Sequence, residues 1–344
     1  MNETRRPTLQ IARFPSNATC AVTTSWDDND TMNLEIMKIL DSMGMRGTFY
    51  VDSGNPRWTN NGLADSDLRT IAMRHEVGSH TWSHVDCRKC DARTLRDELT
   101  RSKEYIEGVL REPVHGFAYP YGEYSSVSEN VARESGYLFA RTTVQGNVEF
   151  PPANPFLWGI SVWALDLSPY FLKEIVSRTV LNSMGRLYVR NFAWDWRRLT
   201  LRLLEKARVA NGVLHIFGHA LEVLRPKLKS QFLEVCSKLA FRKDVWYATN
   251  GMLFLNERIR ESVRITPHHD SENQFLFSVD AEPPFDISPE RIPMPLRLTI
   301  PEGWRDFQVQ VSAASSGRVE TGRVGRQEWI DIFDRSAKIT VSRH

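Results

Sequence analysis

Thr23-Thr24-Ser25-Trp26-Asp27-Asp28-Asn29-Asp30 ends an apolar run that begins at Cys20 and stops on two adjacent carboxylates followed by a turn. A strand ending at Trp26 puts both acids at its C-terminal edge, where open α/β sheets and barrels bind their ligands. Neighbouring carboxylates repel one another, so each needs its own partner. His80-Thr81-Trp82-Ser83-His84 supplies two imidazoles at a spacing that returns both to one face of a turn or short helix. Two neutral imidazoles and one carboxylate make a divalent-metal site with positions left open for water and substrate, and the second carboxylate is then free as a base.

Taken singly, each feature has a plain explanation. An acid pair at a strand end is commonly a solvated edge or a helix cap, and a His-x3-His spacing is commonly accidental. Here both follow apolar, strand-like runs at matching ends of successive β/α units, so the two coincidences would have to occur together.

The 344 residues suffice for one large and one small domain, and the apolar and charged fractions are ordinary for a globular protein. A formal net charge of +2, without any block of like charge, gives no sign of a nucleic-acid or anionic-membrane surface. Met1 to Phe14 carries Glu3, Arg5, Arg6 and Arg13 with no apolar core of a signal peptide, and no run approaches membrane-spanning length. Four cysteines are too few for a disulfide framework, so a reducing cytoplasm is expected. Cys87-Arg88-Lys89-Cys90 has no companion pair at zinc-finger spacing and reads as structural. Asn17-Ala18-Thr19 and Asn29-Asp30-Thr31 match the glycosylation pattern by chance, since a sugar on Asn29 would block the acid pair.

Along the chain, Asn29 or Asp30 caps a helix with Leu34, Met37 and Leu40, or Ile36 and Ile39, at helical spacing, and Gly47 to Val51 is a buried strand. Further helices are predicted over Leu68–Arg74, around Leu95, Leu99, Ser102, Ile106 and Val109, and over Ser126–Ser135, Phe171–Ser183, Leu199–Ala210 and Leu228–Phe241. Strands are predicted over Val77–Ser79, Gly116–Tyr119, Tyr137–Thr142, Gly159–Leu165, Val213–Phe217 and Val245–Thr249, the last before an Asn250-Gly251 turn. About seven β/α units in alternation predict a barrel-like α/β domain over residues 1–260. Beyond Arg260, prolines punctuate short alternating runs at Phe275–Val279, Leu296–Ile300, Phe307–Val311, Trp329–Phe333 and Lys338–Val341, which predict a small antiparallel β-sandwich over 261–344.

Thr24-Ser25-Trp26-Asp27-Asp28, His80-Thr81-Trp82-Ser83-His84 and Phe117-Ala118-Tyr119-Pro120-Tyr121-Gly122 resemble, in order and spacing, the first three motifs of the polysaccharide deacetylase family, the NodB-homology or carbohydrate esterase family 4 enzymes. Trp163-Ala164-Leu165-Asp166 resembles the fourth motif, and Gly218-His219 the fifth. The resemblance spans roughly residues 15 to 258. It implies a distorted (β/α)7 barrel that removes N-acetyl groups from amino sugars, or O-acetyl groups in some members, with a divalent metal that is usually zinc.

Carried over motif by motif, the resemblance makes Asp28, His80 and His84 the metal ligands and Asp27 the general base. It makes the backbone N–H of Tyr121 an oxyanion donor, His219 the acid for the leaving amine, and Asp166 the partner that orients that imidazole. Tyr121 and Trp163 would line the sugar site.

Three departures from the family pattern stand out. Asn29 replaces the usual Gly after the acids and tolerates a left-handed backbone. Ala118 replaces an Arg that tethers the base, so Arg141 at the end of a nearby strand is the candidate substitute. Leu167-Ser168-Pro169 follows Asp166 where the family often continues with Asp-Trp. His215 could line the pocket but reads better as a core histidine, and Trp194 and Trp196 read as core.

The expected activity is therefore metal-dependent deacetylation of an amino sugar in an oligosaccharide, polysaccharide or sugar conjugate, with zinc, or else cobalt, manganese or iron, as the ion. The expected partner is the acetylated sugar, not nucleic acid or membrane. The rivals are an amide hydrolase or deformylase of the same fold acting on a small substrate, and a non-catalytic carbohydrate-binding protein. Loss of Asp27 or His219 would favour the last, and both are present.

Overall fold

The computed structural model describes residues 6–165, 195–271, 274–282, 292–301, 307–313, 318–324 and 327–343. The chain divides into two compact units, Cys20–Gly251 and Met1–Thr19 with Met252–His344.

In the larger unit the organising strand is Cys20–Asp27, every residue of which is buried. Burial on both faces is what a near-continuous apolar run selects, and it demands a parallel sheet covered on both faces, as in a barrel with helices outside and side chains within. Numbering Thr8–Ile11 as β1 and Cys20–Asp27 as β2, the following strands are β3 (Gly47–Val51), β4 (Glu76–Ser79), β5 (Gly116–Ala118), β6 (Phe139–Arg141), β7 (Val162–Trp163), β8 (Val213–His219) and β9 (Val245–Tyr247). They form one parallel sheet in the order β6-β5-β4-β3-β2-β8-β7, with β9 also pairing β2. The sheet has eight strands among the described residues, and it is the curled α/β barrel sheet that the alternation of elements predicts.

The crossovers are α1 (Asn33–Ser42), α2 (Asp65–Ala72), α3 (Ala92–Leu110), α4 (Ser126–Glu134), α5 (Trp196–Ala210), the short α6 (Ala220–Val223) and α7 (Pro226–Leu239). On α3 the predicted Leu95, Leu99, Ser102 and Ile106 are buried and Val109 is half-buried, whereas the buried stripe of α1 is Ile36, Met37 and Leu40, drawn from both predicted sets, with Leu34 and Ile39 only half-buried. The predicted helix Phe171–Ser183, together with Asp166 and Trp194, lies outside the described residues.

The expected turn at Asn250-Gly251 is instead the start of α8 (Asn250–Ser262). Orphan N–H groups at a helix start need acceptors, and here Asn250 donates to Thr48 Oγ1 at 2.9 Å and Gly251 to Glu76 Oε2 at 2.7 Å. Those acceptors turn an Asn-Gly hairpin signal into a helix N-terminus.

Among the described residues the smaller unit holds two four-stranded antiparallel sheets, β1-β12-β15-β14 and β10-β11-β16-β13. The strands are β10 (Val263–Ser271), β11 (Gln274–Ala281), β12 (Met294–Thr299), β13 (Phe307–Ala313), β14 (Arg318–Val324), β15 (Gln327–Phe333) and β16 (Ser336–Arg343). Four of the five predicted runs fall within a strand and the fifth, Leu296–Ile300, passes the end of β12 by one residue, while β10 and β14 add two strands that were not predicted. The expected division at 260/261 differs from this one. Thr8–Ile11 pairs with β12 from Thr8↔Thr299 to Ile11↔Leu296, and Asn256 and Arg260 of α8 donate to the carbonyls of Arg13 and Ala12. Main-chain pairing joins β1 to the β module, and side-chain hydrogen bonds from Asn256 and Arg260 tie α8 to the residues that follow β1, a long-range relation that local patterning does not carry.

Candidate metal and hydrolytic site

The parallel strands end together, and their C-terminal edge gathers Asp27 of β2, Arg141 of β6, Trp163 of β7 and His219 of β8. The β2–β8 register sets Asp27 beside His219, and the β5–β6 register sets Ala118 beside Arg141. Strand β2 runs one residue further than expected, to Asp27, and Asp28 then adopts φ 77°. The left-handed residue of the turn is thus Asp28 and not Asn29, whose N–H donates to the buried Asp52 at 2.9 Å. This break in the backbone lets the two adjacent carboxylates diverge and find different partners.

Asp27 pairs with Arg141, a fully buried guanidinium whose carbon lies 4.5 Å from the Phe217 ring centre and 5.3 Å from that of Tyr50. Burial by itself would raise the Asp27 pKa. The charges of Arg141, His80 and His219, with the Arg141 hydrogen bond, overcome that penalty and hold the carboxyl below its ordinary value.

Asp28 faces the histidines. One ligating atom each from Asp28, His80 and His84 lies within 4.8 Å of the other two. His84 Nε2 is 3.5 Å from Asp28 Oδ1, and His80 Nε2 is 3.6 Å from Asp27 Oδ2. His80 Nδ1 donates to the carbonyl of Ala118 at 2.7 Å, which leaves the Nε2 lone pair aimed into the cluster. Burial lowers the pKa of both histidines, so both lone pairs are available at neutral pH, and burial raises that of Asp28. A half-buried carboxylate with two neutral imidazoles is a donor set suited to a divalent cation.

His219 caps α6, and its Nδ1 lies 3.2 Å from Glu222 Oε2. Burial would lower its pKa, but the Glu222 hydrogen bond and charge, then Asp27 and Asp28, raise it to about 8. Its ring centre is 5.8 Å from that of Trp163, which itself rests on Phe217 at 5.0 Å. Tyr121 has φ 62°, is 60% exposed, and sets its ring edge-on to His84 at 4.8 Å. His215 is a core residue: it bonds Ser25 Oγ at 2.8 Å and stacks on Trp158 at 4.4 Å. Cys87 is buried and all four cysteines are free.

Three residues of this region escaped the sequence reading. Asp52 follows β3 and accepts from Asn29, Asn55 and Trp58, and its position just after a buried strand repeats the signal that singled out Asp27. Glu222 is three residues after His219, a spacing that brings side chains together once a helix starts there. Glu98 is a half-buried carboxylate beside Leu99 on the inner side of α3.

Residues 16–140 match the family model described as polysaccharide deacetylase. Among curated proteins, a chitin deacetylase of Pestalotiopsis sp is 26% identical over 104 residues, covering 30% of this chain and 34% of that protein. The chain thus spans about a third of the length of the curated relative it matches. Among solved structures, a polysaccharide deacetylase from Bacillus cereus is 26% identical over 36% of this chain and 40% of its own, with a TM-score of 0.33. A family 4 acetyl xylan esterase from Clostridium thermocellum, in complex with cobalt, is 17% identical over 69% of this chain and 92% of its own, with a TM-score of 0.42. No described helix is long and apolar enough to cross a membrane.

Proposed function

We propose, on the premise that this chain belongs through residues 16–140 to the polysaccharide deacetylase family, that it hydrolyses the acetyl group of an acetylated amino sugar, with Asp28, His80 and His84 holding a divalent metal, most simply zinc. The observation that carries this reading is the arrangement of two carboxylates in two electrostatic settings. Asp28 converges with two neutral imidazoles, while Asp27, one residue away, is kept ionised by a buried arginine.

The chemistry a cation supplies in such a cluster is Lewis acidity, which polarises an acetyl carbonyl and lowers the pKa of water. Asp27 accepts the proton of the attacking water as its oxygen adds to the acetyl carbon. Arg141 keeps that carboxylate charged and fixes its direction. The backbone N–H of Tyr121 donates to the oxygen that gains negative charge, a contribution of about 3 kcal/mol for one such donor in other hydrolases.

Glu222 accepts from Nδ1 of His219, so that Nε2 carries the other proton and gives it to the amine nitrogen as the C–N bond breaks. Acetate and a free amino sugar result. The apolar face of Trp163 beside His219 offers a platform for a sugar ring.

Mass spectrometry of N-acetylated and O-acetylated oligosaccharides incubated with zinc-loaded protein tests the reading. Loss of one acetyl mass with a new free amine is the expected result. A panel left intact by protein that binds zinc would contradict it.

A further inference from the structure

The loop that carries both histidines is held in an unfavourable backbone by a residue outside it. Thr81 has φ 63° and His84 φ 61°, and the left-handed value is one that a β-branched residue such as Thr81 rarely adopts. Such conformations persist only where surrounding contacts over-determine them.

The contacts come from α3. Glu98 Oε2 accepts from the backbone N–H of Trp82 at 2.9 Å and of Ser83 at 2.8 Å, and its Oε1 accepts from Ser83 Oγ at 2.7 Å. One turn along the same helix, Ser102 Oγ bonds Ser79 Oγ, at the end of β4, at 2.8 Å. The Trp82 carbonyl accepts from Gly54 N–H at 2.8 Å, and a Cβ on Gly54 would lie 1.9 Å from the Trp82 ring, so no bulk fits there. Arg101 and Tyr105 of α3 hold the Trp82 ring from 4.2 Å and 5.5 Å. Between His80 and His84, therefore, the main chain of two residues ends on a single carboxylate.

We propose that Glu98 is a positioning residue for the metal site. It fixes the Thr81–His84 turn so that His84 Nε2 faces Asp28 before any ion arrives. The inference rests on the reading of Asp28, His80 and His84 as ligands and extends it to a residue that touches neither ion nor substrate. A carboxylate suits the task because it accepts two main-chain N–H groups and a hydroxyl at once, without offering a donor in return.

The test is zinc affinity, read by competition with a chromophoric chelator, together with the visible spectrum of the cobalt-substituted protein. Glu98→Ala is expected to weaken zinc binding about 10- to 100-fold, in the range typical of partners that orient metal ligands, and to alter the cobalt bands. Glu98→Gln keeps the length and one acceptor oxygen and is expected to recover most of the loss. If Glu98→Ala fails to fold, Glu98→Asp, which withdraws the carboxylate by one methylene, carries the same readout. Wild-type affinity and an unchanged cobalt spectrum in folded Glu98→Ala or Glu98→Asp would overturn the inference while leaving the metal site intact. A wild-type protein that binds neither zinc nor cobalt would instead overturn the metal reading, and this inference with it.

Discussion

Arg141, at the end of β6, and Asp27, at the end of β2, form a buried ion pair across the C-terminal edge of the sheet. Ala118, beside Arg141 in the β5–β6 register, offers no charge, and the guanidinium from β6 is the cation that meets Asp27. Removing it as Arg141→Met should cost about 3–5 kcal/mol of stability, because a lone buried charge remains. Urea denaturation at neutral pH measures the loss.

The same variant should move the acid limb of kcat/KM to higher pH. In the wild type Asp27 is held below the ordinary carboxylate range, so its stabilising contribution is complete above the unfolded pKa and is lost as pH falls through the lower folded value. Without Arg141, burial dominates and the carboxyl takes up its proton earlier. An acid limb unchanged in Arg141→Met would mean that Asp27 does not titrate in the rate.

Glu222 is expected to set the opposite limb through His219. His219 titrates at about 8, so it is protonated and able to donate below that pH. Its contribution to stability is complete below the unfolded value near 6.5 and fades as pH rises through about 8. Glu222→Gln should lower the alkaline limb by ~1 unit, since the neutral amide no longer favours the imidazolium. A pH profile of kcat/KM between pH 6 and pH 9 reads the shift.

Much of this was legible in the sequence because it is written in short-range pattern. The buried run Cys20–Asp27, the Asp27-Asp28 pair and the His80–His84 spacing each lie within a few residues, and the repeating β/α alternation puts them at one edge. The choice of Arg141 as a partner for Asp27 came from its place at a strand end, and the structure brings the two together. What was missed depends on tertiary neighbours. Glu98 looks like any helix carboxylate until α3 packs under the histidine loop. The membership of Thr8–Ile11 in a sheet with Met294–Thr299 has no local signal at all. Asn250-Gly251 has a strong local signal for a turn, which Thr48 and Glu76 override.

The smaller unit offers an independent test of buried charge. Asp331 on β15 is buried, accepts from the N–H and Oγ of Ser16 at 2.8 and 3.1 Å, and is pushed up to about 7 chiefly by burial. A carboxyl raised in this way stabilises the fold at low pH, and that contribution is lost as pH rises through about 7. Asp331→Asn should therefore melt higher than the wild type at pH 8, with the difference shrinking as pH falls below about 7 and vanishing only below the unfolded carboxyl value of about 4. Melting curves across that range decide the point.

The central claim is that Asp27 takes the proton of an attacking water beside a metal held by Asp28, His80 and His84. It is tested most directly by acetate release from a panel of N-acetylated and O-acetylated oligosaccharides, comparing metal-stripped wild type, zinc-restored wild type and zinc-loaded Asp27→Asn. The account predicts release only in the zinc-restored wild type, with Asp27→Asn reduced about 10²- to 10⁴-fold as expected for loss of a general base, although it still binds zinc. Equal release by stripped and restored protein, undiminished release by Asp27→Asn, or none from any sugar by protein that binds zinc stoichiometrically would contradict it.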